Sequence, residues 1–255
     1  MDKPRRGAVR RSEIPPQILR QLNEGSIPSA SLAESLAVDF QRLLRHVLPS
    51  LPSTLIGQVE PTLGVVARMR LVGRLLAQTQ DRNVIEPLAR HPSDTVRGWA
   101  AYAICEWEGL SLLQRLEVLR PLADDSHYGV REWAWCAIRP ELAKQLDEAI
   151  RLLEPWTVES SANLRRFATE CTRPRGVWCA HIDLLKREPV RGLPLLEPLR
   201  SDPAKYVQDS VANWLNDAAK SQPEWVIDLC RRWRAVSPTP ATSRICQRAQ
   251  RSLKP

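Results

Sequence analysis

The sequence has few glycines and no glycine-rich loop that could hold a phosphate or a dinucleotide. Only 10 of its 255 residues are glycine, which argues against an α/β nucleotide-binding enzyme. No apolar run approaches the roughly 20 residues that a membrane span requires, and the basic start is not followed by a hydrophobic signal core. We therefore expect a cytoplasmic protein that makes no membrane contact.

Metal-binding and disulfide patterns are also missing. The six cysteines form no C-x-x-C pair and have no histidine at ligand spacing, so the sequence predicts neither a zinc site nor a disulfide framework. The four histidines are isolated and are typical of turn or surface positions. We expect no metal and no cofactor.

Positive charge is what the sequence has in excess. It carries 37 Lys and Arg against 29 Asp and Glu, a formal net charge of +8, and 31 of the basic residues are arginine. The planar guanidinium pairs two-pronged with phosphate, so a polyanion is the expected partner. Alternatively, the high ratio of arginine to lysine reflects a GC-rich genome, which encodes arginine in place of lysine throughout its proteins.

Two regions are expected along the chain. Residues 1–12 are rich in basic side chains and poor in apolar ones, which predicts a disordered basic arm. Residues 13–255 are predicted to form a single HEAT-like repeat domain with helices throughout. Pro15 and Pro16 open the first helix, and Ser31 followed by Glu34 predicts a capped helix that continues through Leu48.

An internal repeat organises the central part of the chain. Four similar helical segments begin at Val96, Val130, Leu164 and Val207, which are 34, 34 and 43 residues apart. Each follows a polar turn, and a second apolar helix lies between consecutive segments. This period predicts an all-α fold, an α-α superhelix of the HEAT or armadillo kind. We expect a monomer.

Helical geometry divides each repeated segment into two faces. Trp99, Trp133 and Phe167 share a stripe with the Val or Leu that opens each segment, and the fourth segment carries Trp214 there; these positions are predicted core. The opposite side aligns Arg97, Arg131 and Arg165. Those arginines either line a basic concave groove for a phosphate backbone or bond the turn aspartates and hold the repeats together.

Particular strings then resemble a known family. They are LNEG at 22–25, LAVD at 36–39, AIRP at 137–140, TRPR at 172–175 leading to Trp178, and YVQDSVANWLND at 206–217. Together they resemble the bacterial DNA alkylation repair proteins of the AlkC and AlkD type, over about residues 14–234, and are most similar to the AlkC branch.

The resemblance implies a HEAT-like DNA glycosylase of the bacterial cytosol that excises N3- or N7-alkylated purines from duplex DNA without a metal or cofactor. It implies that Asp217 is the catalytic carboxylate and that Trp178 lies in the base pocket. Phosphate binding is expected from five arginines. They are Arg131, Arg139, Arg165, Arg173 and Arg175.

One position departs from the family pattern. AlkC-like sequences carry a carboxylate two residues before AIRP, whereas this chain has Trp135. Glu132 and Glu170 are the nearest candidate replacements, and Trp135 itself offers an aromatic face to a cationic base. Two further hypotheses therefore stay open: a catalytically weak or inactive DNA-binding protein for damaged or branched DNA, and a protein-binding HEAT scaffold.

Overall fold

The computed structural model describes residues 5–79 and 81–253, and this part of the chain contains helices and no strand. Contacts divide the chain into two compact units. Unit 1 comprises residues 1–111 and 117–137, and unit 2 comprises residues 112–116 and 138–255. A single repeat domain over residues 13–255 stays a prediction.

The described residues of unit 1 form seven helices and parts of two more. The seven are α1 (Pro16–Glu24), α2 (Leu32–Ala37), α3 (Phe40–Val47), α4 (Ser53–Gly57), α5 (Val65–Thr79), α6 (Arg82–Leu88) and α7 (Asp94–Glu106), preceded by a 3-10 turn at Arg11–Glu13. Helices α8 (Leu112–Ala123) and α9 (Tyr128–Lys144) each supply residues to both units.

In unit 2, the residues that the structure describes form seven further helices. They are α10 (Leu146–Leu153), α11 (Ala162–Glu170), α12 (Asp183–Arg187), α13 (Leu193–Leu196), α14 (Lys205–Ala219), α15 (Pro223–Val236) and α16 (Pro240–Ala249). Short 3-10 turns lie at Glu154–Val158, Pro189–Gly192 and Glu197–Leu199.

The repeated segments form α7, α9, α11 and α14, and their predicted core face is confirmed. Trp99, Phe167 and Trp214 are buried, and so is Trp133. Each such aromatic side chain contributes about 1.5–3 kcal/mol of hydrophobic stabilisation. The Phe40 ring meets Trp99 edge-on at a centroid distance of 5.4 Å in unit 1.

Two glycines permit close helix packing. A Cβ on Gly73 of α5 would lie 2.3 Å from the Cβ of Tyr102 on α7. A Cβ on Gly192 would lie 2.4 Å from the Cζ2 of Trp214. Both distances are far below van der Waals contact, so only glycine allows these approaches.

The single helix predicted from Ser31 to Leu48 is two helices in the structure. Helix α2 ends at Ala37, and Asp39 begins α3 as its N-cap, with the carboxylate accepting the Arg42 backbone N–H at 3.1 Å. The Asp39 backbone N–H donates to the Asn23 Oδ1 at 2.8 Å. This bond to α1 satisfies a group that a continuous helix would have bonded internally.

The predicted disordered arm is corrected for residues 5–12, while residues 1–4 lie outside the described chain. Glu34 is fully buried, and Arg5 donates to both of its carboxylate oxygens at 2.6 Å. The backbone N–H of Ala8 donates to the same carboxylate at 3.1 Å. A buried carboxylate is costly without such partners, and this requirement holds the segment in place.

Candidate functional site

Two arginines of the repeated segments join consecutive polar turns. Arg97 donates to the carbonyls of His91 and Pro92 in its own turn, and its guanidinium lies 2.9 Å from the carboxylate of Asp125 in the next turn. All of these groups lie within unit 1. Since Asp125 belongs to the next polar turn, the Arg97–Asp125 ion pair links one repeat to its neighbour.

Arg165 repeats this arrangement in unit 2. It donates to the carbonyls of Glu159 and Ser160 at 2.8 Å and grips Asp202 through two bonds of 2.6 and 3.1 Å. Its guanidinium is therefore committed within the protein. The carboxylate of Asp202 occupies the two-pronged face of the guanidinium, which favours the alternative in which Arg165 holds the repeats together; phosphate binding by Arg165 stays a prediction.

Arg131 shares the first half of the arrangement. Its Nη1 donates to the carbonyls of Asp125 and Ser126 at 2.5 and 3.0 Å. The side chain is partly exposed. Its role in DNA binding stays a prediction.

Arg139 is buried, in contrast to the exposed phosphate ligand that was expected. Only 2% of its surface is accessible. It donates to the carbonyls of Cys171, Arg173 and Ala180 at distances of 2.5–3.2 Å. These carbonyls hold the guanidinium inside unit 2, and phosphate binding by Arg139 stays a prediction.

The same bonds close the neck of a surface loop. Arg139 joins carbonyls on both sides of the segment from 173 to 180, and the Ile182 backbone N–H donates to the Pro174 carbonyl at 3.0 Å. At the tip, Val177 is 67% exposed and Trp178 is 41% exposed. The loop therefore presents an aromatic face to solvent from an anchored base.

Two acidic residues meet through one arginine in unit 2. Arg173 Nη1 donates to Glu170 Oε1 at 2.8 Å, and both Nε and Nη2 of Arg173 lie 2.8 Å from Asp217 Oδ2. Glu170 ends α11, and Asp217 lies in the last turn of α14. The structure thus brings together three of the predicted site residues, and Arg173 acts as their link.

Glu170 is the more fully satisfied of the two acids. The Ser210 hydroxyl donates to Glu170 Oε2 at 2.6 Å, and Arg166 lies 3.3 Å from the same oxygen. Burial alone would raise the pKa of Glu170, but the charges of Arg166 and Arg173 and the bond from Ser210 outweigh it and lower the pKa. Glu170 is consequently an ionised, fixed acceptor.

Asp217 has a different electrostatic environment. It is only 4% exposed. Burial raises its pKa above the ordinary value, and Arg173 only partly offsets that effect. Lys220 is 4.0 Å away. A carboxylate that burial destabilises in this way is a stronger base and a stronger electrostatic partner for a developing cation.

Arg175 holds the backbone beside Asp217. Its Nε donates to the Asp217 carbonyl at 3.2 Å, and its Nη2 donates to the Ser221 hydroxyl at 2.7 Å. The side chain is partly exposed. Arg175 therefore couples the loop that carries Trp178 to the end of α14, and phosphate binding by Arg175 stays a prediction.

Trp135 and Glu132 lie in unit 1. The Trp135 indole N–H donates to the Glu132 Oε2 at 3.0 Å, and the Trp135 side chain is buried. A carboxylate thus does lie beside the position where the AlkC pattern expects one. Its distance in sequence, three residues before Trp135, matches one helical turn.

Sequence reasoning missed Ser210 and Arg166 as members of the acidic site. Arg166 stacks over the Tyr206 ring at 4.2 Å from its centroid. The signal for Ser210 was its polar side chain at a core-facing position of α14, because a buried hydroxyl requires a partner. It bonds Glu170 and the Thr169 hydroxyl.

Three absences hold for the described residues. None of their helices has the length and apolar character needed to cross a bilayer. No group of three or more His, Cys, Asp or Glu side chains there is placed to hold a metal ion. All six cysteines are free thiols.

No protein-family model matches the chain. A stretch of 86 residues is 40% identical to YhaZ of Bacillus subtilis, a protein without a described function, and this match covers 34% of the chain and 24% of YhaZ.

Solved structures share the fold. The Pseudomonas fluorescens alkylpurine DNA glycosylase AlkC, bound to DNA containing an abasic site analog, aligns with a TM-score of 0.67 at 22% identity, over 97% of the chain. The chain spans 65% of that protein's length. AlkD2 from Streptococcus mutans aligns with a TM-score of 0.59 at 20% identity, covering 74% of the chain and 90% of AlkD2. The all-α fold class is confirmed, and the chain has the helical repeat fold of the AlkC and AlkD proteins, as its motifs predicted.

Proposed function

We propose that the protein is a DNA glycosylase that releases N3- or N7-alkylated purines from duplex DNA. The observation that carries this proposal is the acidic pair of Glu170 and Asp217, which is buried, joined by Arg173 and located in a fold shared with AlkC. The protein would act as a monomer in the bacterial cytosol, without a metal or cofactor.

The chemistry of the lesion makes one carboxylate sufficient. An N3- or N7-alkylated purine is already cationic, so its glycosidic bond breaks with little assistance and leaves an oxocarbenium-like sugar. A carboxylate beside the sugar stabilises this cation or orients the attacking water. Asp217 is the candidate, because it is buried beside Arg173 and burial raises its pKa by more than Arg173 lowers it.

The other site residues have supporting roles in this proposal. Glu170 holds Arg173, and Arg173 holds Asp217, so Glu170 positions the catalytic carboxylate without contacting the sugar. The exposed face of Trp178 stacks on the cationic base. Trp135 and Glu132 belong to unit 1, and their role in base binding stays a prediction.

In this proposal, fewer arginines contact phosphate than the sequence predicted. Arg139, Arg165 and Arg173 are committed to carbonyls and carboxylates within the protein. Arg131 and Arg175 keep partly exposed guanidinium groups. These two remain candidates for contacts with the DNA backbone.

A release assay on methylated duplex DNA tests the proposal. We expect Asp217→Asn to slow release of the alkylated purine by about 100-fold or more, because it removes the charge that stabilises the transition state. Asn keeps an acceptor for Arg173, so folding and DNA affinity should be retained. Asp228→Asn is the matched control, since Asp228 is an exposed acid that pairs with Arg231 on the same helix.

The second candidate is a DNA-binding protein without glycosylase activity. Trp135 favours it, because a buried indole occupies the position of the family's second carboxylate. This candidate predicts DNA binding by the unaltered protein without any release of methylated purine. Equal release by the unaltered protein and Asp217→Asn would refute the assignment of Asp217.

A further inference from the structure

A basic cleft lies between α1 and α3 in unit 1, apart from every residue assigned above. Its volume is about 500 Å³. Arg20, Asn23 and Leu19 of α1 face it, as do Arg42, Arg45 and His46 of α3. The helical spacing of these residues places each set on one face of its helix.

Asn23 provides a fixed hydrogen-bond donor in this cleft. It is only 9% exposed. Because the Asp39 backbone N–H donates to it at 2.8 Å, the atom facing Asp39 must be Oδ1. The orientation of the side-chain amide is thereby determined. Its Nδ2 has no hydrogen-bond acceptor in the part of the chain that the structure describes, so two N–H donors remain for a ligand.

The cationic side chains of the cleft are weakly compensated. Arg20 and Arg45 are exposed and form no ion pair within residues 5–79 and 81–253. Arg42 lies 3.4 Å from Asp39, whose carboxylate also caps α3. Glu24 is the acidic residue at the cleft. By contrast, Arg5, Arg97 and Arg165 are each paired with a buried or partly buried carboxylate.

We propose that the α1–α3 cleft binds a phosphate ester of a nucleotide unit. Arg20, Arg42 and Arg45 supply the charge, the Asn23 amide donates to a phosphate oxygen, and Leu19 offers an apolar surface to the sugar. The phosphate belongs either to the backbone of duplex DNA, which rests on the proposed function, or to a free nucleotide. The volume of the cleft exceeds that of a bare phosphate and suits a larger ester.

The test compares Arg20→Gln/Arg45→Gln with Arg70→Gln/Arg90→Gln. The control removes the same charge from two exposed arginines of unit 1 that lie outside the cleft. Fluorescence anisotropy of a labelled duplex is measured across a salt series. We expect the slope of log affinity against log salt to fall by about 1 for each cleft arginine and to change less in the control.

A second variant and a second probe separate the two phosphate sources. Asn23→Asp keeps the acceptor for Asp39 but replaces the amide donor with a negative charge, so it should weaken binding of either source. Titration with deoxyadenosine monophosphate and with inorganic phosphate, followed through the NMR signals of the Asn23 amide, reports a free ligand. If Asn23→Asp fails to fold, the double arginine variant and these titrations still decide.

A slope change specific to the cleft variant supports a backbone phosphate, and a shift of the Asn23 amide with the mononucleotide supports a free nucleotide. Equal slopes in both double variants, with no shift for either small ligand, overturn the proposal. Base release by the unaltered protein is measured in parallel, so loss of the proposed glycosylase function would be recognised independently of the cleft.

Discussion

Replacing Arg165 distinguishes an arginine that holds repeats together from one that binds DNA. Arg165→Met keeps much of the aliphatic stem but removes the guanidinium. Asp202 would then lose both of its bonds from Arg165 and keep the Ala204 backbone N–H at 2.8 Å. The carbonyls of Glu159 and Ser160 would lose their donor as well.

The geometry sets the size of the effect. Breaking a buried ion pair by removing one partner costs about 3–5 kcal/mol, because the remaining charge is left uncompensated. The Arg165 side chain is 13% exposed and Asp202 is 3% exposed, so water reaches the site poorly but does reach it. We therefore expect the lower end, about 3 kcal/mol, which corresponds to a fall in melting temperature of about 6–12 °C.

Thermal unfolding followed by circular dichroism measures this loss. Arg187→Met is the control in the same unit, since Arg187 is exposed and its removal should change stability by less than about 0.5 kcal/mol. Asp202→Asn should recover part of the loss in the Arg165→Met background by removing the unpaired charge. A loss below about 1 kcal/mol together with weaker DNA binding would refute the structural role and restore the phosphate role.

Two further changes probe the acidic site and the packing beneath it. The pKa of Glu170 is lower in the folded protein than its ordinary value of 4.5; its ionised form therefore stabilises the fold above that pH, and this contribution is lost as the pH falls through the folded pKa. Glu170→Gln should accordingly lose less stability than the unaltered protein between neutral and acidic pH in urea titrations, and an identical pH dependence would contradict the assignment. Gly192→Ala places a Cβ 2.4 Å from the Trp214 ring and should cost about 1–3 kcal/mol with altered near-ultraviolet circular dichroism; unchanged stability would show that the ring yields easily.

The repeated core could be predicted from the sequence because it depends on periodicity. Trp99, Trp133 and Phe167 recur at one offset from the residue that opens each segment, and a helix places that offset on a single face. Burial of all three follows from local geometry and does not require knowledge of any distant partner. Trp214 also proved to be core, because Ser210 supplies the smaller volume in that segment.

The boundaries that were wrong depend on partners distant in sequence. Asp39 begins a new helix because its backbone N–H bonds Asn23, 16 residues earlier. The segment containing Arg5 is ordered because Glu34, 29 residues later, needs a cation. Composition alone registers the excess of charge in residues 1–12 and carries no information about a buried carboxylate elsewhere.

The roles of the arginines were the least predictable feature. Arg139, Arg165 and Arg173 occupy positions where spacing alone is compatible with a basic groove. These arginines bond carbonyls and carboxylates that lie 32–44 residues away in sequence. Neither periodicity nor net charge specifies such pairs. The alternative in which an arginine bonds a turn aspartate was the one that the structure supports for Arg97 and Arg165.

The stability of the fold does not explain why residue 217 is an aspartate. A carboxylate in the last turn of a helix opposes the helix dipole, and burial adds a second unfavourable contribution that leaves its pKa raised. Arg173 donates to Asp217, but the same guanidinium also donates to Glu170. An uncharged side chain would fill this position at lower cost in stability. A buried carboxylate with incomplete compensation is typical of a functional site, and this argument for Asp217 is independent of the motif that first identified it.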